Sequence, residues 1–473
     1  MAATSARCAA ADPFSSSSPR IHRAWWLAAA LLGCITAAMP GAAQAKDGQA
    51  PNIVVLLADD LGWRDLGCYD SPFNETPHID SLAKQGMRFT QAYTAGSVCS
   101  PTRASLMTGR YPVRTGVTDY IPGLNPGDRR LDPEPTARQL ALDEVTLGEA
   151  FRAAGYQTFY GGKWHLGGAD FEPDKQGFDV YVGDAQLGKH GRDPLVGKRI
   201  SEAAIKFLKN RDADRPFLAY LSYHEPHIPI LEYPDHIERF EKKAAALPQP
   251  AGPRIIAERN GQLRVVQDDA AYGSEVAGLD SWVGLVLDYL EEAGLAENTI
   301  VVFFSDNGGL SIKDQPGPTS NVPLRAGKGW LYEGGIRVPL IVRAPGVTAA
   351  GSTCDAPFIS TDLFPTLLEL AQLPLQPKDH LDGQSAASLL KGQAPLHSRT
   401  LYWHYPHYHG STWAPGSAIR EGDLKLIEFF DEDSVELYDL SRDLSERHNL
   451  SGEQPDKVKD LRQKLAAWRK ATG

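Results

Sequence analysis

The chain has 473 residues, of which 42% are hydrophobic and 23% are charged, a composition typical of folded globular proteins. Its formal net charge of −11 excludes a general polyanion binder, so nucleic acid is not an expected partner. The length allows two or three domains, or one large α/β domain with an appendage.

The first 45 residues have the features of an export signal. Basic residues precede the apolar run 24–33, and small residues at 43–45 offer a cleavage site. No later apolar stretch is long enough to span a bilayer. We therefore expect an exported protein, periplasmic or extracellular, whose signal peptide is residues 1–45. The alternative is a lipid anchor at Cys34, which follows a lipobox-like Leu-Leu-Gly.

Apolar strand patterns alternate with amphipathic helix patterns along most of the chain. Buried strands are predicted at 53–58, 88–93, 157–160, 217–223, 299–305 and 338–343. Helices are predicted at 79–85, 147–154, 201–209, 272–292 and 362–370. This order predicts an α/β fold with a large, mostly parallel sheet flanked by helices.

Near residue 395 the character of the sequence changes. Short strand patterns at 418–420, 425–430 and 435–439 precede a helix pattern at about 455–470. They predict a smaller α+β subdomain with an antiparallel sheet. We therefore expect a main domain at 46–395 and a C-terminal subdomain at 396–473.

Two pairs of polar residues directly follow strand patterns. Asp59 and Asp60 come after the first strand, and Asp306 and Asn307 come after the fifth. Because open α/β sheets carry their sites beyond the carboxyl ends of the strands, we expect the pairs to share one site. Three carboxylates and an amide oxygen suit Ca²⁺ or Mg²⁺ rather than Zn²⁺. Each pair taken alone is equally compatible with a structural turn.

Cys99 lies in the run GSVCSPTRASLMTGR, in front of a predicted helix. Pro101 suits the first turn of a helix, and Ser100 is the expected N-cap. Cys99 would then lie at the helix N-terminus, where the amides and the dipole favour negative charge. Arg103 would return to the same face one turn later. A cysteine so placed could be a nucleophile, and the alternative is a buried structural thiol.

The run from Cys99 to Arg103, with the Leu-Met-Thr-Gly-Arg that follows, resembles the type I sulfatase signature. Thr102 stands where serine is common in that family. Further segments that resemble the family are Gly-Lys-Trp-His-Leu-Gly at 162–167, Pro-His-Ile-Pro at 226–229 and the glycine-rich stretch 324–339. The resemblance covers nearly all of residues 51–450. It is a resemblance to arylsulfatases and N-acetylgalactosamine sulfatases of the alkaline phosphatase superfamily, and it implies that the main domain at 46–395 is catalytic.

The resemblance implies an enzyme that hydrolyses sulfate esters. A maturation enzyme would oxidise Cys99 to formylglycine (3-oxoalanine), whose hydrate is the nucleophile. Calcium, with magnesium as the less favoured ion, would be bound by Asp59, Asp60, Asp306, Asn307 and residue 99. The implied catalytic residues are Cys99, Arg103, Lys163, His165, His227 and Lys328.

Each implied catalytic residue has a role in the same scheme. Arg103 would hold the nucleophile, while Lys163 and Lys328 would contact the sulfate and stabilise its charge. His227 would also contact the substrate and protonate the leaving oxygen. His165 would act as the base that regenerates the aldehyde.

The expected substrate is a sulfated saccharide, with aryl sulfates as a further option. His404 and His407 lie in an aromatic run that suits a sugar ring, so they are expected substrate contacts, although such runs also pack domain interfaces. Two alternatives are a phosphonate or phosphodiester hydrolase of the same superfamily and a non-catalytic sulfosugar-binding protein. The oligomeric state is left open.

Two further cysteines follow the predicted signal peptide. With Cys99 assigned to chemistry, Cys68 and Cys354 could form a disulfide in an oxidising compartment or remain free thiols. The spacing does not decide between these alternatives.

Overall fold

Strand β1 (Asn52–Ala58) separates two hydrophobic cores, which explains why its sequence is a continuous apolar run. Ile53, Val55 and Leu57 enter one core, whereas Val54 and Leu56 enter the other. The computed structural model describes residues 49–124, 127, 129–132, 135–188, 191–393 and 399–473.

Strands and helices alternate along the chain as the sequence pattern predicts. The strands are β1 (Asn52–Ala58), β2 (Met87–Tyr93), β3 (Gln157–Gly162), β4 (Val180–Val182), β5 (Phe217–Ser222), β6 (Ile255–Glu258), β7 (Gly261–Arg264), β8 (Thr299–Ser305), β9 (Ile312–Lys313), β10 (Arg337–Arg343), β11 (Ser352–Cys354), β12 (Phe358–Ile359), β13 (Thr400–Tyr405), β14 (Gly416–Glu421), β15 (Leu424–Phe429) and β16 (Ser434–Asp439). The helices are α1 (Pro77–Gln85), α2 (Cys99–Thr108), α3 (Pro112–Thr115), α4 (Leu147–Ala153), α5 (Asp184–Leu187), α6 (Val196–Asn210), α7 (Ile237–Ala246), α8 (Ala270–Glu292), α9 (Glu333–Ile336), α10 (Leu363–Leu370), α11 (Ala387–Leu390) and α12 (Pro455–Thr472).

The main sheet is mixed and mostly parallel. Its strand order is β11-β2-β10-β8-β1-β5-β3-β4, with β12 also paired to β2. Strands β8, β1, β5, β3 and β4 are parallel to one another, and β10 runs antiparallel to both of its neighbours. Helices α2, α4 and α10 contribute to the core on one face, and α1, α6 and α8 to the core on the other. The predicted α/β fold is confirmed.

A second, antiparallel sheet has the strand order β13-β14-β15-β16. One face of this sheet shares a core with the main sheet, in which Trp403 packs edge-on against Tyr93. Its other face is covered by α12 through Leu461 and Leu465. Three of its strands and α12 were predicted. Strand β13 was not, because its alternating aromatic residues were interpreted as a substrate contact.

The structure resolves only some of the remaining predictions. The predicted signal peptide, Cys34 and the domain boundary near residue 395 all fall outside the residues that the structure describes. Within the described ranges, no helix combines the length and the apolar character needed to cross a membrane. Cys68 and Cys354 are free thiols rather than a disulfide.

Candidate active site

Four neighbouring parallel strands end at the same edge of the main sheet, and each is followed by predicted site residues. Asp59 and Asp60 follow β1, and Asp306 and Asn307 follow β8. On the other side of β1, the loop after β5 carries His227, and Lys163 directly follows β3. Their convergence is a direct consequence of parallel strand order.

Hydrogen bonds that involve side chains hold the tips of β1 and β8 together. The Asp60 amide donates to Asp306 Oδ1 at 3.1 Å, and the Leu61 amide donates to Ser305 Oγ at 3.1 Å. Asn307 Nδ2 donates to Asp60 Oδ1 at 2.8 Å. Successive side chains of a regular strand point to opposite faces of the sheet. Asp60 has a left-handed backbone with φ of 65°, which breaks this alternation and allows the carboxylates of Asp59 and Asp60 to face one site.

Cys99 is the first residue of α2 and is buried. Its Sγ lies 3.3 Å from Asp59 Oδ1, 3.5 Å from Lys163 Nζ and 3.6 Å from Lys328 Nζ. Burial, with Asp306 and Asp59 adding to it, raises the pKa of the thiol. Position 99 therefore lies at a helix N-terminus between carboxylates and two lysines, as predicted.

The predicted N-cap of this helix is wrong. Val98 occupies the N-cap position, and no side chain caps the helix there. The Ser100 hydroxyl instead accepts a hydrogen bond from the Ile121 amide at 3.0 Å. Because Ser100 lies inside the first turn, its side chain does not cap the helix. It binds the loop around Ile121 instead, next to the site.

Arg103 lies one turn after Cys99 and returns to the same face. Its Nε and Nη2 donate to Asp306 Oδ2 at 3.0 and 2.8 Å. Its Nη1 donates to the Lys163 carbonyl at 2.8 Å and to Ser222 Oγ. The guanidinium therefore joins α2 to the ends of β8, β3 and β5.

Two lysines from separate loops reach the site. Lys163 Nζ forms an ion pair with Asp59. Lys328 Nζ donates to Asp60 Oδ2 at 2.7 Å. The loop of Lys328 is fixed by its backbone, since the Lys328 amide donates to the Gly309 carbonyl at 3.1 Å and the Gly329 amide donates to the Ser97 carbonyl at 2.8 Å.

Both predicted histidines lie beside these groups. His227 Nε2 is 3.8 Å from Asp60 Oδ2, and its Nδ1 contacts the Ile228 carbonyl at 2.5 Å. His165 Nε2 contacts the Ile121 carbonyl at 2.5 Å, while its buried Nδ1 forms no hydrogen bond with the described residues. Burial lowers both pKa values, to about 4 for His227 with Lys328 adding to the effect and to about 3 for His165 with Lys163 adding to it.

The residues present fit a divalent cation that prefers oxygen ligands. Asp59, Asp60 and Asp306 are fully buried carboxylates, and Asn307 Oδ1 is buried without a hydrogen-bond partner among the described residues. Burial and the charge of Asp59 raise the pKa of Asp306 to about 7 despite Arg103. Ligand atoms of Asp59, Asp60, Cys99 and His227 all lie within 4.8 Å of one another. A cation would relieve the repulsion among these carboxylates.

A cavity of about 500 Å³ opens beside Cys99. Its inner wall contains Asp59, Lys163, His165 and His227, the residues already described. Its outer wall is formed by Tyr181 of β4 and by residues that follow β3, β4 and β5, namely Glu172, Asp184, Gln186 and His224. None of these outer residues was a predicted site residue. Apart from Tyr181, they share one signal in the sequence, which is their position after strands that end at the same edge.

His404 and His407 are not among the residues that line this cavity. His404 Nδ1 contacts Ser417 Oγ at 2.6 Å on the neighbouring strand. His407 is buried, and its Nε2 contacts Thr118 Oγ1 at 2.9 Å. The geometry therefore gives no support to substrate binding by either residue, and it agrees with the alternative that this run packs an interface.

Comparisons with known proteins agree with this geometry. Residues 51–373 match the family model Sulfatase, and residues 326–471 match the model N-sulphoglucosamine sulphohydrolase, C-terminal. Arylsulfatase A of Homo sapiens is 34% identical over 467 aligned residues, which cover 85% of this chain and 83% of that protein. N-acetylgalactosamine-6-sulfatase of Canis lupus familiaris is 31% identical, with coverage of 89% and 80%.

A solved structure has a similar fold over most of this chain. The crystal structure of Ps i-CgsB in complex with k-i-k-neocarrahexaose has a TM-score of 0.72 and 27% sequence identity, and the match covers 89% of this chain and 93% of that chain. The family match spans well over half of the present sequence, so the resemblance found in its motifs is confirmed. The chain belongs to the sulfatase family and is a sulfuric ester hydrolase.

Proposed function

We propose that the chain hydrolyses the sulfate ester of a sulfated carbohydrate, using a formylglycine derived from Cys99 and a bound calcium ion. The observation that carries this proposal is the position of Cys99 Sγ, 3.3 to 3.6 Å from Asp59 Oδ1, Lys163 Nζ and Lys328 Nζ. A nucleophile at this position would contact both the candidate metal ligands and two cations that could bind sulfate.

Formylglycine would supply an aldehyde hydrate, whose second hydroxyl allows sulfate to be released after transfer as the aldehyde re-forms. Cys99 has the matching sequence context, and oxidation there requires a formylglycine-generating enzyme as a partner. Buried Arg103 lies on the same helix face as residue 99 and holds Asp306 in place. Arg103 would therefore fix both the nucleophile and its carboxylate neighbour.

Calcium would be held by Asp59, Asp60, Asp306, Asn307 and residue 99, and it would act as a Lewis acid on a sulfate oxygen. The charges of the protein groups support this assignment. Three carboxylates in the site face three cations, so the side chains alone offer no net positive charge to a sulfate. Calcium is preferred to magnesium chiefly because of the resemblance to the sulfatase family.

The remaining residues handle charge and protons. Lys163 and Lys328 would neutralise the oxygens of the transferring sulfuryl group. The Nδ1 of His227 donates to the Ile228 carbonyl, so Nε2 would protonate the leaving oxygen only after the ring has taken up a second proton and become an imidazolium. For His165 the Nε2 faces the Ile121 carbonyl, and Nδ1 would accept the proton when the nucleophile is regenerated.

A carbohydrate substrate is supported by the relatives and by the cavity. One relative is named for N-acetylgalactosamine 6-sulfate, and a solved neighbour was crystallised with a neocarrahexaose. The cavity of about 500 Å³ has carboxylate, amide, imidazole and phenol groups on its outer wall, which suit sugar hydroxyls. Export from the cytoplasm would bring the enzyme to such polymers.

The experiment is a hydrolysis panel that follows sulfate or phosphate release. The substrates are N-acetylgalactosamine 6-sulfate, galactose 6-sulfate, 4-nitrophenyl sulfate and bis(4-nitrophenyl) phosphate. We expect turnover of a sulfated sugar that is lost in Cys99→Ala and retained in Cys68→Ala, a matched change at a free thiol outside the site. Preferred cleavage of the phosphodiester would favour the phosphodiesterase alternative. No cleavage at all would favour the sugar-binding alternative.

A further inference from the structure

Glu225 is a buried carboxylate two residues before His227, and the proposed reaction does not use it. Three donors converge on its two oxygens. Oε1 accepts hydrogen bonds from the Tyr233 hydroxyl at 2.9 Å and from the Gly197 amide at 3.1 Å, and Oε2 accepts one from the His224 amide at 3.2 Å. Because an ionised carboxylate only accepts hydrogen bonds, it satisfies all three donors at once.

Two of these donors are fixed by helices. Gly197 lies in the first turn of α6, where backbone amides have no partner within the helix and favour a negative charge. A Cβ at this glycine would lie 2.8 Å from both carboxylate oxygens of Glu225, so the close approach requires glycine. Tyr233 is buried against Trp282 of α8, and its amide donates to Ser274 Oγ of the same helix at 3.1 Å. The Glu225 side chain is therefore anchored to α6 directly and to α8 through Tyr233.

The backbone around Glu225 connects this anchor to the proposed catalytic groups. The Glu225 carbonyl accepts a hydrogen bond from the Asp59 amide at 3.1 Å, at the tip of β1. The His227 amide donates to the His224 carbonyl at 2.9 Å, so residues 224–227 form one turn. The Glu225 side chain binds the amide at the start of this turn. It therefore helps to fix the turn that places His227 Nε2 3.8 Å from Asp60 Oδ2.

We propose that Glu225 is a positioning residue, which holds His227 where its imidazolium protonates the leaving oxygen as the bond from that oxygen to sulfur breaks. This inference rests on the proposed function, in which His227 is the acid. Glutamine at position 225 would turn an amide group toward at least one of the three donors, and two donors cannot share a hydrogen bond. The turn would then shift, and a displacement of about 1 Å can reduce a rate by about a hundredfold.

The test compares kcat/KM for two substrates with different leaving groups. N-acetylgalactosamine 6-sulfate releases an alcohol, which needs a proton as it leaves, whereas 4-nitrophenyl sulfate releases a stable phenolate. Glu225→Gln should lower kcat/KM for the sugar sulfate about tenfold or more, and that for 4-nitrophenyl sulfate by less than about threefold. Tyr233→Phe removes one of the three donors and should change the ratio of the two values in the same direction by a smaller factor.

Two further variants separate positioning from a general loss of structure. In a His227→Ala background, Glu225→Gln should leave the ratio within about twofold of that background, because the residue through which it acts is absent. Asp280→Asn is the matched control, since buried Asp280 accepts the amides of His78 and Ile79 in the first turn of α1 and does not line the cavity. It should keep the wild-type ratio within about twofold, even where the variant is less stable.

An equal loss for both substrates in Glu225→Gln, or a further change of the ratio in the His227→Ala background, would overturn the inference. Crystal structures of the wild type and Glu225→Gln test the position without any turnover. The distance from His227 Nε2 to Asp60 Oδ2 should differ between them by about 1 Å or more, and an unchanged distance would also overturn the inference. A wild type that hydrolyses neither substrate would instead count against the proposed function.

Discussion

Arg103 donates two hydrogen bonds to Asp306 Oδ2, from Nε at 3.0 Å and from Nη2 at 2.8 Å. Both side chains are buried, so this pair joins the helix that begins at Cys99 to the tip of β8 with little competition from water. The guanidinium therefore helps to fix the distance between the nucleophile position and the candidate metal ligands.

Replacing Arg103 with lysine should reduce kcat by about a hundredfold or more, because an ammonium cannot reproduce the planar fork that orients Asp306. The same change should lower the free energy of unfolding, since the buried carboxylate of Asp306 loses hydrogen bonds from the guanidinium. Steady-state kinetics and urea unfolding measure the two effects. Arg442→Lys, at an exposed arginine, is the control and should behave as wild type. Wild-type kcat in Arg103→Lys would refute this role.

Calcium should raise the thermal midpoint of the wild type, because an ion that binds only the folded state stabilises it by about 2.7 kcal/mol at a hundred times its Kd. Asp60→Asn should remove most of this shift by deleting one carboxylate ligand. Differential scanning calorimetry with calcium and then with a chelator measures it, and Glu432→Gln, at an exposed carboxylate, is the control. An equal calcium shift in Asp60→Asn would show that the ion binds elsewhere.

Lys425 joins two buried carboxylates, with its Nζ 2.9 Å from both Glu333 Oε1 and Glu446 Oε1. Glu333 begins α9, five residues after Lys328, so this contact connects the C-terminal sheet to the loop that carries Lys328. Lys425→Met should cost about 3–5 kcal/mol of unfolding free energy, because both carboxylates lose their buried partner.

Urea unfolding measures that loss, and Lys464→Met provides the comparison. Lys464 forms ion pairs on the surface with Glu421 and Asp460, which are worth at most about 1 kcal/mol each. A similar loss of unfolding free energy in the two variants would show that the buried cluster stabilises the fold no more than the surface ion pairs do.

His407 should contribute to the pH dependence of stability. Burial lowers its folded-state pKa to about 4, whereas the unfolded imidazole titrates near 6.5. As the pH falls from 6.5 to 4, the unfolded chain therefore binds a proton that the folded chain does not. The free energy of unfolding should decrease across this window by about 2–3 kcal/mol on account of this residue.

His407→Gln should flatten the stability curve between pH 6.5 and 4 and retain turnover, since the residue does not line the cavity. Urea unfolding at several pH values measures the slope. His448→Gln, at an exposed histidine, should keep the wild-type slope. A large rise in KM for His407→Gln would instead restore the substrate contact expected from the sequence.

Most of the fold and the two acidic pairs could be predicted from short-range patterns, whereas the lysines and histidines of the inner site were predicted from the resemblance to the family. Strand β8 was predicted with the bounds that the structure shows, and its parallel neighbour β1 ends in the other acidic pair. Polar residues at the tips of adjacent parallel strands must converge, so Asp59 and Asp306 could be assigned to one site before any coordinates.

The predictions that were wrong or missing concern contacts between residues that are distant in the sequence. Ser100 has the chemistry of an N-cap, but the helix begins at Cys99, so Ser100 lies within the helix. Its hydroxyl accepts a hydrogen bond from the Ile121 amide. The aromatic residues of β13 pack a core shared with the main sheet, which a linear run cannot reveal. Glu172 and Asp184 lie outside the segments that resemble the family, and the pairing of β4 with β3 brings Asp184 to the cavity.

The central claim is that residue 99 acts as formylglycine, and the mass of one peptide tests it directly. Trypsin releases residues 89–103, and conversion of the thiol to an aldehyde lowers the mass of this peptide by about 18 Da. Protein made with a formylglycine-generating enzyme should show the lighter peptide, and its sulfatase activity should rise in proportion to the converted fraction. Full activity in protein whose peptide keeps the unmodified mass would contradict the claim.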